Sequence, residues 1–295
     1  MTRDEQLPSS AQSSRITPRL VSRVWGGERL TALGGSATAT PPIGEAWFGE
    51  IGSQNHPLVK LLDVADRLSV QVHPTDQLAA ELHGAGSIGK REAWVILDAA
   101  PGAHLLLGRD PAVSAEQLQR ALESGGDVAP LLAKIPVMAG DVLDVPPGTL
   151  HALMPVLLVW EVQQPSDRTY RVSDWGRSSS ERPLHHAEAL RAVNAAATAQ
   201  RVARLDWAAP RTRTLIGNDA FTVTVVVGPW SEPMQLPHGA IATLISSPSM
   251  SGVGSGAAAH VAGIALEPLQ SALITAGLGA IEIPRGSALL LASRP

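Results

Sequence analysis

Gly140-Asp-Val-Leu-Asp-Val-Pro-Pro-Gly-Thr-Leu-His151 reads as a strand, a tight turn and the opening of a second strand. Gly140 permits the turn into the first strand, and Pro146, Pro147 and Gly148 reverse the chain at its end. His151 then begins the return, expected as one strand from Leu150 to Trp160.

Outward from this hairpin, Leu68-Ser-Val-Gln-Val-His-Pro74 alternates Leu68, Val70 and Val72 with Ser69, Gln71 and His73. That is the period of a strand with one apolar and one polar face. Gln71 and His73 stand two apart and so share a face. Pro74 ends the strand because it supplies no N–H to a ladder. Glu92 opens the next apolar run, Glu92-Ala-Trp-Val-Ile-Leu97. A sheet with one wet face would account for the alternation by itself. If Gln71, His73, Glu92 and His151 converge, two imidazoles, a carboxylate and an amide oxygen make a mixed nitrogen and oxygen site suited to zinc or a similar divalent ion. The chain has no cysteine, so thiolate ligands and disulfides are both excluded.

The Gly140–His151 spacing resembles the second conserved motif of cupins, small double-sheet β-barrels that hold a metal inside. The wider pattern resembles the type I mannose-6-phosphate isomerases in their short bacterial form. The resemblance is carried by Arg23-Val-Trp-Gly-Gly27, Ile43-Gly-Glu-Ala-Trp47, Leu68 to Pro74, Gly89-Lys-Arg-Glu-Ala-Trp94, Pro146 to His151 and Glu161-Val-Gln-Gln-Pro-Ser-Asp-Arg-Thr-Tyr-Arg-Val172. These segments occur in the family's order over roughly residues 20–195 and fade after about 200. The resemblance implies a mostly β protein of two cupin (jelly-roll) barrels with a small helical insertion. It implies one zinc ion per chain, held by Gln71, His73, Glu92 and His151. The implied reaction is interconversion of mannose 6-phosphate and fructose 6-phosphate through an enediol, with the metal stabilising charge on O1 and O2. By motif position Glu161 and Asp167 are candidates for the base. Lys90, two before Glu92, would share that residue's face in a strand. Arg171, a permanent cation, suits the enediolate or the phosphate. Trp25, Trp47 and Glu45 fall in the same motifs as wall residues. Phe48, Pro165, Arg168 and Ser173 depart from the family's pattern, which bears on the shape of the sugar pocket and removes no ligand.

The organisation follows. Residues 1–14 form a polar arm, 15–195 a metal-binding cupin catalytic domain with a helical insertion around 111–135, and 196–295 a second cupin domain without ligands. Short β runs fill about 15–110. Ser114 caps a helix to Glu123, with Gln117 at the capping-box position, and Pro183–Asn194 reads as another helix. Phe221–Val227 is a strand. Gly279-Ala-Ile-Glu-Ile-Pro-Arg-Gly-Ser-Ala-Leu289 echoes Gly140–His151, one residue shorter, with Leu289 in the histidine's place. Ser247–Ala259, rich in Ser and Gly, is expected as a loop. His185, His186, His238 and His260 read as surface or helix-end residues. Arg177 and Arg182, around Ser178–Ser180, read as a solvated loop, with help in binding phosphate as the alternative.

Of 295 residues 44% are hydrophobic, ample for a core, and the net charge of −4 comes without any basic block. That excludes a nucleic-acid surface, which needs clustered Lys and Arg. No apolar run approaches a membrane span and no signal peptide is evident, so a cytoplasmic protein is expected; a small sugar phosphate as its partner is what the resemblance implies. Oligomeric state is not legible. Two alternatives are another metal-cupin enzyme, such as a different sugar-phosphate isomerase, and a non-catalytic sugar-binding cupin.

Overall fold

The computed structural model describes residues 13–295 apart from 37, 178–181, 198, 209, 248–255 and 276. The chain is mostly β, as expected, and its strands are layered. A seven-stranded antiparallel sheet runs in the spatial order Gln200–Arg204, Asp141–Val145, Glu92–Ala99, Leu157–Gln163, Leu58–Val64, Ile43–Phe48, Arg19–Gly27. Against one face lies a five-stranded sheet ordered Tyr170–Ser173, Val70–Val72, His151–Leu153, His104–Arg109, Leu132–Pro136. Leu62, Trp94, Ile96 and Val159 of the first sheet pack there on Leu105, Leu107 and Leu153 of the second. Against the other face lies a six-stranded C-terminal sheet, which includes Thr222–Val227, Ala240–Ser246 and Ser287–Ser293. Phe48, Leu61 and Trp160 meet Val223, Val225, Ile241 and Leu290 in that layer. A sheet covered on both faces needs apolar residues at nearly every position. Leu58–Val64 and Leu157–Gln163 are accordingly buried throughout.

The outer face of the five-stranded sheet is covered by helices α1 (Asp76–His83), α2 (Ala115–Glu123) and α3 (His186–Ala192). The expected capping box of α2 is present: Ser114 Oγ accepts from Gln117 N at 3.1 Å and Gln117 Oε1 from Ser114 N at 2.7 Å. Helix α1 corrects the expectation of β runs alone before residue 110. Thr75 caps it, accepting from Leu78 N at 3.2 Å, and Leu78 and Leu82, four apart, face the sheet. The expected strand Leu150–Trp160 is two strands, His151–Leu153 and Leu157–Gln163. Pro155 has no N–H for a ladder, and the chain passes there from the five-stranded to the seven-stranded sheet. The strand around Gln71 is confined to Val70–Val72. Helix α3 begins three residues later than Pro183.

In the C-terminal half, Gly286 and Gly148 both turn the chain at positive φ, 78° and 85°, before their return strands. Leu289 is fully buried among Val226, Leu244 and Leu291, so apolar packing fills the place of His151. Ser14–Ile16 adds an edge to the C-terminal sheet, pairing with Ser271–Ile274, and Ser13 Oγ lies 3.2 Å from Thr275 Oγ1. Most of the expected polar arm and of the Ser247–Ala259 loop lies outside the described residues. Among the described residues, no helix is long and apolar enough to cross a membrane.

Candidate metal centre and active site

The space between the seven- and five-stranded sheets is apolar at one end and charged at the other. Register sets the charged end. On the five-stranded sheet Arg171 pairs with Gln71, and Gln71 with His151, in one row. On the seven-stranded sheet Trp47 pairs with Lys60, Lys60 with Glu161, and Glu161 with Trp94. The two rows enclose a cavity of about 380 Å³, lined by Gln71, Lys90, Glu161, Asp167, Arg171, Trp25, Trp47 and Glu45 among others.

His73, Glu92 and His151 converge beside it, with one ligand atom from each within 4.8 Å of the others. All three are nearly or fully buried. His73 Nδ1 donates to Arg168 O and His151 Nδ1 to Thr149 O, each at 3.0 Å. Those bonds fix the tautomers and leave both Nε2 lone pairs aimed inward. Glu92 Oε1 lies 3.1 Å from His151 Nε2 and Oε2 lies 3.3 Å from His73 Nε2. With the tautomers so fixed neither nitrogen can donate, and Glu92 Oε1 is left buried without a hydrogen-bond partner. Lone pairs facing one another call for a cation. Lys90 Nζ partly answers, 3.1 Å from His73 Nε2 and hydrogen-bonded to Glu92 Oε2. A divalent ion fits this donor set better than one ammonium, since it can meet all three side chains at once. Gln71 flanks it, its amide 3.2 Å from His151 Nε2. The amide nitrogen points at the histidine, and a half-turn of the amide presents its oxygen instead.

Electrostatics agree. Burial, partly opposed by Glu92, lowers the His151 pKa to about 4. Burial and then the Lys90 ammonium lower that of His73. Burial alone would raise Glu92, but Lys90 and the two histidines hold its carboxyl well below the usual range. Burial would lower Lys90, but Glu161 and Glu92 outweigh it and keep it cationic.

The other expected residues divide. Glu161 is buried and engaged by Lys60 at 3.3 Å, Lys90 at 3.9 Å and Trp94 Nε1 at 3.1 Å. Asp167 is exposed at the mouth, with no bonded partner among the described residues. Arg171 has no carboxylate partner among the described residues, and its Nε is buried without an acceptor. Tyr170 faces the opposite side, its hydroxyl 2.9 Å from His83 Nε2, as strand alternation requires.

Lys60 and Arg23 were not anticipated. Lys60 interrupts an apolar strand, Leu-Val-Lys-Leu-Leu, and a lysine in a doubly covered strand is the signal that could have found it. It lies 4.6 Å from the Trp47 ring centroid. Arg23 and Trp47 Nε1 both bond Glu45, at 3.0 and 2.6 Å. Arg182, expected in a solvated loop, lines the cavity and grips buried Asp174 with two nitrogens at 2.8 and 3.1 Å, while Arg177 bonds the same carboxylate. Among the described residues five cations thus line the cavity against three carboxylates, a surplus suited to an anion.

No family model matches the chain. A mannose-6-phosphate isomerase of Streptococcus mutans is 33% identical over 238 residues, 68% of this chain and 74% of the relative. A probable mannose-6-phosphate isomerase of Bacillus subtilis is 36% identical over 214 residues, 60% and 67% of the two chains. The crystal structure of mannose 6-phosphate isomerase from Bacillus subtilis matches with a TM-score of 0.76 at 24% identity, over 96% of this chain and 99% of that one. A zinc-bound mannose 6-phosphate isomerase matches at 0.69 and 14% identity, over 97% and 100%. The structural likenesses establish the shared fold. The sequence likeness, extending over most of the Streptococcus protein, goes further: this chain belongs to the mannose-6-phosphate isomerase family.

Proposed function

We propose that this chain interconverts mannose 6-phosphate and fructose 6-phosphate with one zinc ion held by His73, Glu92, His151 and the amide oxygen of Gln71. The observation that carries the reading is Glu92 Oε1, a buried carboxylate oxygen without a hydrogen-bond partner facing an imidazole lone pair. When bound, the ion would act as a Lewis acid toward the hydroxyl and carbonyl oxygens at C1 and C2 of the opened sugar. Asp167 is the cavity carboxylate with no bonded partner among the described residues, and we assign it the transfer of the C2 proton to C1. Glu161, held by two lysines and an indole, keeps Lys90 protonated, and Lys90 donates to a sugar oxygen as charge grows there. Arg171 supplies a cation that no side chain among the described residues neutralises, one strand spacing, about 4.8 Å, from Gln71.

In the same reading the layered sheets are two cupin barrels, with residues 15–195 catalytic and 196–295 a second domain in which Leu289 replaces a ligand. The protein would act in the cytoplasm. The test is turnover of mannose 6-phosphate by metal-analysed protein before chelation, after it, and after zinc is restored. Activity should vanish and return. Zinc-loaded protein without turnover would count against the substrate and leave the metal centre standing.

A further inference from the structure

We propose that His185 is a positioning residue that fixes Arg171 from the open edge of the five-stranded sheet, an inference that rests on the role given to Arg171 above. Tyr170–Ser173 is that sheet's outermost strand, so on one side its backbone has no neighbouring strand among the described residues. Unpaired N–H and C=O groups at such an edge need partners. At Arg171 one residue supplies both. Arg171 N–H donates to His185 Nδ1 at 3.2 Å, and Arg171 O accepts from His185 N–H at 2.8 Å. His185 therefore pairs as a residue of a further strand would, with a ring nitrogen in place of a carbonyl. The same segment reaches the side chain: Pro183 O accepts from Arg171 Nη1 at 3.0 Å.

Arg171 needs this support. It is half-buried, its Nε has no acceptor, and Arg182, Arg23 and Arg177 repel it, with only Asp174 among its electrostatic neighbours attracting it. No carboxylate among the described residues forms an ion pair with it, so the Pro183–His185 segment does the work of one in aiming the guanidinium. Use of His185 at the sheet edge also accounts for the late start of α3 at His186. The acceptor role needs an unprotonated Nδ1. Burial, then Arg171 and His186, hold the imidazole below its ordinary pKa against the pull of Glu188, and the Tyr170 ring lies 6.3 Å away.

The test compares steady-state kinetics on mannose 6-phosphate for the wild type, His185→Asn, His185→Gln, His185→Ala, Arg171→Ala and the double variant Arg171→Ala/His185→Ala, with melting temperature and bound zinc measured for each. Asn offers an acceptor near the Nδ1 position and Gln does not. We expect His185→Ala and His185→Gln to move the same parameter, KM or kcat, that Arg171→Ala moves, by about tenfold. His185→Asn should restore most of it, and the double variant should be no worse than Arg171→Ala. Wild-type kinetics in His185→Gln, or losses that multiply in the double variant, would overturn the assignment. An inactive wild type would sink the isomerase reading instead. The same comparison, read by calorimetric binding of inorganic phosphate, then decides His185: weakening shared with Arg171→Ala sustains it, and equal affinity in His185→Gln and wild type overturns it.

Discussion

An imidazole buried between two sheets resists protonation, and His151 shows what that does to acid stability. Its pKa in the folded chain, about 4, lies below the ordinary 6.5. The unfolded chain therefore binds a proton first as pH falls. Stability from this group is complete above about 6.5 and is lost between there and about 4, at up to ~1.4 kcal/mol per pH unit. His73, shifted the same way, adds to the loss. Melting temperature followed from pH 8 to 4 should fall through that window, and a flat profile would contradict the burial argument. In the folded chain His151 stays unprotonated down to about pH 4, so it should still hold zinc at pH 5.5, where an ordinary histidine is already mostly charged. Lys90 poses a different question, since it occupies two of the same donor atoms. Lys90→Met should keep or tighten zinc, because the competing ammonium is gone, yet lose about 10²–10⁴-fold in kcat if Lys90 is an acid of the reaction. Metal content and kcat measured on one preparation separate the two effects. Loss of zinc along with activity would mean that Lys90 only holds the site together.

At the level of elements, the Pro146–Gly148 turn carries more of the metal centre than its place outside any strand suggests. Gly148 N–H donates to His73 O at 2.9 Å, and Gly148 O accepts from Asn194 N at 3.0 Å. One glycine at φ 85° thus ties both histidine strands to the chain leaving α3. A methyl group there would lie 3.0 Å from Asn194 Cβ and 3.1 Å from Ala192 O. Gly148→Ala should cost about 1–2 kcal/mol for the left-handed backbone alone and weaken zinc by moving His73 relative to His151. Calorimetric melting and a zinc titration check both halves. This turn was legible in the sequence because its meaning is local: Gly and Pro constrain the backbone wherever they stand. So was the alternation that puts Gln71 and His73 on one face. Lys60 was harder, because it acquires its role from Glu161, a carboxylate distant in sequence; Arg182 lies only eight residues from its partner Asp174, and what hid its role was the burial of that carboxylate, which only the fold reveals. Helix α1 was legible but missed: Leu78 and Leu82 have helical spacing behind a capping threonine, and the β reading of the surrounding runs overrode it. The break at Pro155 was readable from the proline, but the change of sheet that it serves was not.

Across the whole molecule, the seven-stranded sheet cannot stand with only its catalytic face covered. Its other face meets the C-terminal sheet in one continuous core, and Trp160, beside Glu161 in sequence, donates from Nε1 to buried Thr243 at 3.0 Å. Thr243 in turn lies 2.9 Å from Ser271 Oγ. The halves also exchange edges: Ser14–Ile16 joins the C-terminal sheet, and Gln200–Arg204 closes the seven-stranded one beside Asp141–Val145. A chain ended at residue 195 would lose that closing strand and expose Phe48, Leu61 and Trp160 to water, so it should be insoluble or molten and bind zinc weakly. The complete chain should unfold in one transition, its midpoint rising with free zinc as RT ln(1 + [Zn]/Kd). Thr243→Val probes the link gently. It removes the acceptor of a fully buried indole N–H while nearly preserving volume, and should cost about 1–3 kcal/mol. Because the loss falls at the contact between sheets rather than at the ligands, the melting curve should shift without splitting, with little change in zinc affinity per folded molecule. Two separate transitions in that variant would instead mean that the halves fold independently and that the shared core adds little to their cooperativity.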